Sequence, residues 1–139
     1  FFEEAARKYE WLNFLGEIPF EKVPSEIRRH DIGILPLPKK LPWDVGSPLK
    51  AMEYAASGLS VFATDVDGSI PLMSYDWFFC APSDDPIEFW LKSFDDVSVN
   101  REKLSLRARE DSENDLSWDN ATKELVREFE RIVQLRKLG

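Results

Sequence analysis

Two short apolar runs, held apart by a loop and one helical segment, constrain this chain more than anything else in it. Asp31 to Leu35 and Ser60 to Thr64 are apolar almost throughout, as strands covered on both faces are. Between them lie a loop from Pro36 to Ser47 and a helix that opens at Gly46-Ser47-Pro48 and stops at Gly58, a natural left-handed terminator. Strand, helix, strand in this order is the unit of α/β architecture. The fold class expected from this order is α/β with a parallel sheet. In such sheets ligands bind at the carboxyl edge, where the loop after a strand meets the start of the next helix. That places Gly46 to Lys50 in the ligand crevice.

The start of that helix has its own chemistry. Ser47 suits the N-cap because its hydroxyl accepts from an unpaired amide, and Pro48 suits the first helical position, where no N–H is needed. The amides of Leu49, Lys50 and Ala51, with the partial positive charge of a helix start, then form an anion site. Gly46 lets the anion approach the backbone, and Lys50 adds a full charge. Glu53 stands about 7.5 Å beyond Pro48 along the axis, placed to accept from sugar hydroxyls. Together these features suit a nucleoside diphosphate. The same residues also suit a well-capped core helix, with Lys50 and Glu53 an i, i+3 surface pair of small energetic consequence.

Along the rest of the chain, Phe1 to Tyr9 has helical spacing, and Trp11 to Leu15 reads as a short strand stopped by Gly16. Glu21 to Arg29 reads as a helix with Val23 and Ile27 facing inward. The loop from Pro36 is stiffened by Pro36, Pro38 and Pro42, and it carries Lys39, Lys40, Trp43 and Asp44 on the ligand edge. After the second strand, Asp65-Val66-Asp67-Gly68 has the form of a carboxylate metal clamp, but Asp-x-Asp-Gly is also ordinary turn chemistry. Gly68 is a further candidate for cradling phosphate. Trp77 to Ala81 reads as a last strand, Ile87 to Phe94 and Arg101 to Glu113 as helices, with Leu104 and Ala108 of the latter turned to the core. From Ser117 a long helix over 117–137 carries Trp118, Ala121, Leu125, Phe129, Ile132 and Val133 on one stripe, an apolar face that invites self-association.

The wording of the central stretch resembles the carboxyl-terminal donor-binding lobe of GT-B glycosyltransferases of the large retaining family 4. It follows the subgroup pattern S-P-L-K-x-x-E-Y-x-A-x-G-x-x-V-x-A-T-D through Ser47-Pro48-Leu49-Lys50, Glu53-Tyr54, Ala56, Gly58, Val61 and Ala63-Thr64-Asp65. The resemblance implies the Rossmann-like, doubly wound form of the parallel sheet, and transfer of a sugar from a UDP- or GDP-type donor to a hydroxyl acceptor, with retention and without a metal or other cofactor. It implies that Lys50 and the helix amides hold the diphosphate, that Glu53 holds the ribose, and that Gly16 lies beside the base in a segment running from Leu12 to Ile18. Members of that family carry a first glutamate near the donor sugar. Here Val45 stands at its place, eight residues before Glu53, and the neighbouring Asp44 is the candidate substitute. A second reading therefore stands beside the first: a donor-like lobe without chemistry, serving as a binding or assembly module.

Charge and composition bound both readings. A net charge of −8 argues against a nucleic-acid surface, and one cysteine, Cys80, with one histidine, His30, leaves neither an internal disulfide nor a zinc set. Cys80 reads as an apolar core residue and His30 as a helix-end or surface residue. No run approaches the roughly 18 apolar residues of a membrane span, so a cytoplasmic protein is expected, with membrane association at most peripheral and through another lobe. The opening FFEEAARKYE begins with a helix rather than a strand. The expectation is thus one partial donor lobe over 1–139, lacking its first strands and its acceptor-binding partner lobe, with little activity alone.

Overall fold

A computed structural model describes residues 2–137; Phe1, Leu138 and Gly139, within the expected domain, lie outside the described residues. The centre is a parallel sheet of three strands in the order β1-β2-β3: β1 (Ile32–Leu35), β2 (Ser60–Thr64) and β3 (Phe78–Ala81). Gly33 pairs with Val61, and Val61 with Phe78. The α/β expectation is met at that level. The strands follow in sequence order without reversal, so the described strands contain no switch point of the kind that makes a sheet doubly wound.

Strand β2 is buried at every residue because it lies between two neighbours with helices over its faces. Helix α3 (Leu49–Ala56) buries Ala51 and Ala55, four apart on one face, whose small side chains bring its axis close to β1 and β2. The Tyr54 ring lies directly over Gly33, where a side chain on β1 would collide with it. The two carboxyl-terminal helical segments expected at 87–94 and 101–113 are present as the two arms of α4 (Pro86–Asn114), which meet at a kink at Asn100, where φ and ψ are the non-helical −104° and 15°. Before the bend Trp90 stacks on Phe62 at 6.2 Å; after it Leu104 and Ala108 are buried, as their spacing predicts. The buried Trp77 donates its indole N–H to Asp111 at 2.9 Å, fastening α4 to the sheet just before β3.

Two strand expectations are corrected. Trp11 to Leu15 forms no strand: Trp11 is 80 % exposed, Phe14 stacks on Phe2 of α1 (Phe2–Lys8), and the segment pairs with no strand. A short apolar run does not make a strand where no ladder neighbour exists to take its backbone groups. Strand β1 is an edge rather than a doubly covered strand, and Ile34 is 53 % exposed. The helix expected at 21–29 is shorter, a 3₁₀ turn Phe20–Lys22 running into α2 (Val23–Ile27), with Pro24 in its first turn. Helix α5 (Trp118–Lys137) begins as expected, with the Ser117 hydroxyl accepting from the Asn120 amide at 3.3 Å. Its stripe of Trp118, Leu125, Phe129, Ile132 and Val133 is exposed.

Candidate functional site

The loop after β1 is strapped across the carboxyl edge of the sheet. The Thr64 hydroxyl at the end of β2 donates to the Leu37 carbonyl at 2.6 Å, and Lys39 stands 3.5 Å from the Asp65 carboxylate. Further along, the Gly68 amide donates to the Asp44 carbonyl at 2.9 Å, and the Asp67 amide to the Asp44 carboxylate at 3.2 Å. Asp44 thus closes the open end of the 3₁₀-helix Asp67–Leu72, where the unpaired amides of a helix start favour a negative charge. Gly46 follows with its carbonyl against Gly68, so close that no Cβ fits between them. These contacts bring Gly46, Ser47 and the start of α3 to the carboxyl edge, where the topology predicts them.

Several local roles differ from expectation. The N-cap of α3 is Pro48, at φ −81° and ψ 58°, and no side chain caps the helix, so Ser47 is exposed and not the cap. The Leu49 amide donates to Ser47 O at 2.9 Å and the Ala51 amide to Pro48 O at 2.8 Å. Of the three amides expected to be free, Lys50's alone has no backbone acceptor. Gly68 does not offer a free amide either, because Asp44 takes it. Asp44, the candidate substitute for the family's first glutamate, accepts from the Asp67 amide with its carboxylate. Gly16, with φ +66°, is exposed, nothing lies within 4 Å of where a Cβ would stand, and its expected strand is missing.

Lys50 and Glu53 do stand together. Lys50 Nζ donates to Glu53 Oε2 at 2.7 Å, and both side chains are about half exposed, 61 % and 46 %. A pair of this kind is worth about 0.3–0.5 kcal/mol, too little to hold either group against a multiply charged ligand. Both residues line a groove of about 330 Å³ between α2 and α3, walled by Phe20, Val23, Pro24 and Ile27. Phe20, 84 % exposed, is the aromatic that sequence reasoning passed over. One aromatic after Pro19 looks like any hydrophobic residue ahead of a short helix, and only the fold sets it beside Glu53. On the other flank of α3, Leu49, Met52, Leu116 and Trp118 line a wider, mainly apolar groove of about 710 Å³.

The electrostatics center on Asp65. Burial alone would raise its pKa, but hydrogen bonds from Ser83, whose amide donates at 2.8 Å, and the nearby Lys39 outweigh it and hold the carboxyl below its usual range. With Asp65 turned to Ser83 and Lys39, the Asp-x-Asp sequence works here as a strap across the sheet end. Among the described residues, no group of three or more His, Cys, Asp or Glu side chains is gathered in a way that suits a metal. Cys80 is half-buried, and burial, then the negative charge of Asp65, pushes its thiol pKa up, so it is a poor nucleophile. His30 is a surface residue 3.8 Å from Glu26. Among the described residues, no helix is long and apolar enough to cross a membrane.

Compared with protein-family models, with curated proteins and with solved structures, the chain matches none.

Proposed function

We propose that this chain is the nucleotide-sugar-binding part of a retaining, metal-independent glycosyltransferase of the GT-B kind, which moves a sugar to a hydroxyl acceptor with an acceptor-binding lobe outside residues 1–139. The observation that carries the reading is the groove that runs between α2 and α3 from Lys50 to Ser57, where Phe20, Lys50 and Glu53 stand together. A nucleoside fits there with its base on the Phe20 ring and its ribose hydroxyls on Glu53. The diphosphate then takes Lys50 and its free amide, breaking an ion pair of little worth. Charge on a departing diphosphate is stabilised best in a cleft closed from water, so the isolated chain has little or no transferase activity.

A second reading, a donor-like binding or assembly module without chemistry, is favoured by two observations. Val45 is exposed where a glutamate would act on the donor sugar, and Lys50 and Glu53 satisfy each other. Calorimetric titration with UDP and GDP separates the two. The transferase reading expects saturable binding of one of them, weakened about 10-fold or more by Lys50→Ala and by Glu53→Ala, as charged hydrogen bonds are worth about 1.5–3 kcal/mol. Absence of binding, or affinity indifferent to both substitutions, overturns it in favour of the module.

A further inference from the structure

We propose that a second cleft, at the amino edge of the sheet, binds a phosphate group, either free or as the head of a phosphomonoester. The cleft has a volume of about 360 Å³ and lies where α2, the start of β1, the end of α3 and the second half of α4 meet. Arg28, Arg101 and Arg109 line it from two different elements, in a chain whose net charge is −8.

Arg101 is occupied: its guanidinium stands 3.2 Å from the Asp31 carboxylate and fastens α4 to the start of β1. Arg28 and Arg109 are not neutralised in this way, and among the described residues neither has a carboxylate within ion-pair distance. Arg109 is nevertheless held in place. Gly58 ends α3 at φ +84°, and a Cβ there would fall 2.5 Å from Arg109 Nε and 2.6 Å from the Ser105 hydroxyl. The missing side chain of the terminating glycine is the space in which this guanidinium lies. One of its nitrogens reaches the Ser57 carbonyl at 3.4 Å, a long contact that offsets the negative end of α3 and leaves the remaining donors of the fork unused.

The charge count favours an anion. With Asp31 taken by Arg101, two guanidinium groups face one carboxylate, Glu102, in the lining. A planar guanidinium presents paired donors that match phosphate oxygens. One net positive charge in the lining is therefore left for an anion to neutralise. The cleft is wider than phosphate alone requires, with room for a small organic group on the ester oxygen.

The test is a titration of the 139-residue chain, followed by amide NMR at constant ionic strength, with inorganic phosphate, glycerol phosphate and chloride. Saturable shifts at Ser57, Gly58 and Ser105 with the phosphates but not with chloride are expected. Arg28→Gln, at an exposed helix end, should weaken binding about 10-fold, the scale of one charged hydrogen bond. Arg109→Lys keeps the charge but loses the fork, and should weaken it as well. Tighter binding of glycerol phosphate assigns an ester ligand, and equal binding assigns free phosphate. Shifts that never saturate, that chloride reproduces, or that Arg28→Gln leaves unchanged overturn the proposal. Arg28 and Ser57 also line the groove that holds Lys50 and Glu53, so the separating variants are Lys50→Ala, which should leave this titration untouched, and Arg109→Lys, which should leave nucleotide binding untouched.

Discussion

The contact between Gly46 and Gly68 makes the placement of the loop across the sheet's carboxyl edge testable through one methyl group. In Gly68→Ala the new Cβ falls well inside 3.0 Å of the Gly46 carbonyl oxygen, and it also meets the Gly46 carbonyl carbon at 3.1 Å. Both are backbone atoms, so no side chain can swing aside; the loop must lift by about 1.5 Å to restore an ordinary contact. Lifting it strains two bonds: Gly68 N–H to Asp44 O, at 2.9 Å, and Asp67 N–H to the Asp44 carboxylate, at 3.2 Å. Each contributes about 0.5–1.5 kcal/mol net, which gives a loss of about 1–3 kcal/mol, the range usual for overpacking.

Urea unfolding, followed by tryptophan fluorescence, should show that loss. For a denaturant slope of about 2 kcal/mol per molar, the midpoint falls by about 0.5–1.5 M. Asp44→Asn is the control, because it keeps the backbone bond and the close approach and removes only the carboxylate charge; its loss should be less than half as large. A Gly68→Ala chain as stable as wild type, to within about 0.5 kcal/mol, would mean that the loop is not seated on this glycine. An Asp44→Asn chain losing as much as Gly68→Ala would mean that the capping charge, not the backbone approach, holds the loop.

Two further outcomes follow from the same contacts. Asp65 has a folded-state pKa below its ordinary 3.8 because the Ser83 hydrogen bonds and Lys39 outweigh burial, so its contribution to stability is full above that value and is lost as pH falls through the lower, folded one. The gap in urea midpoint between wild type and Asp65→Asn should hold from neutral pH to about pH 5 and close below about pH 4; a gap that widens on acidification refutes the strap. The exposed stripe of α5 should make the chain self-associate as concentration rises, with Leu125→Glu or Phe129→Glu returning it to monomer in sedimentation runs. A wild-type chain that stays monomeric at several hundred micromolar counts against it.

What was legible in the sequence and what was not divide along a physical line. β2 and α3 were legible because burial selects their residues directly: five consecutive buried positions in one, alanines four apart in the other. Leu104, Ala108 and the Ser117 start of α5 were legible for the same local reasons. The Trp11 to Leu15 strand was misread because strand pattern is a statement about a neighbour, and no neighbour is there to pair with. The shift of the α3 cap from Ser47 to Pro48 was illegible because it depends on where Asp44 and Gly68 pull the loop, a contact across more than twenty residues of chain. Phe20 belonged to the groove only once α2 had been laid beside α3.

The same division bears on how much the central motif says about function. Pro48, Ala51 and Ala55 are buried, and Tyr54 covers Gly33, so packing alone accounts for those positions whatever the protein does. Ser47, Lys50 and Glu53 differ: all three are exposed, Ser47 caps nothing, and the Lys50–Glu53 pair adds only a few tenths of a kcal/mol. Folding would be served as well by many other residues there. Of these three, Lys50 and Glu53 face the groove beside Phe20, while Ser47 lines the apolar groove on the other flank of α3, so the substitutions separating a nucleotide site from an inert lobe belong at Lys50 and Glu53.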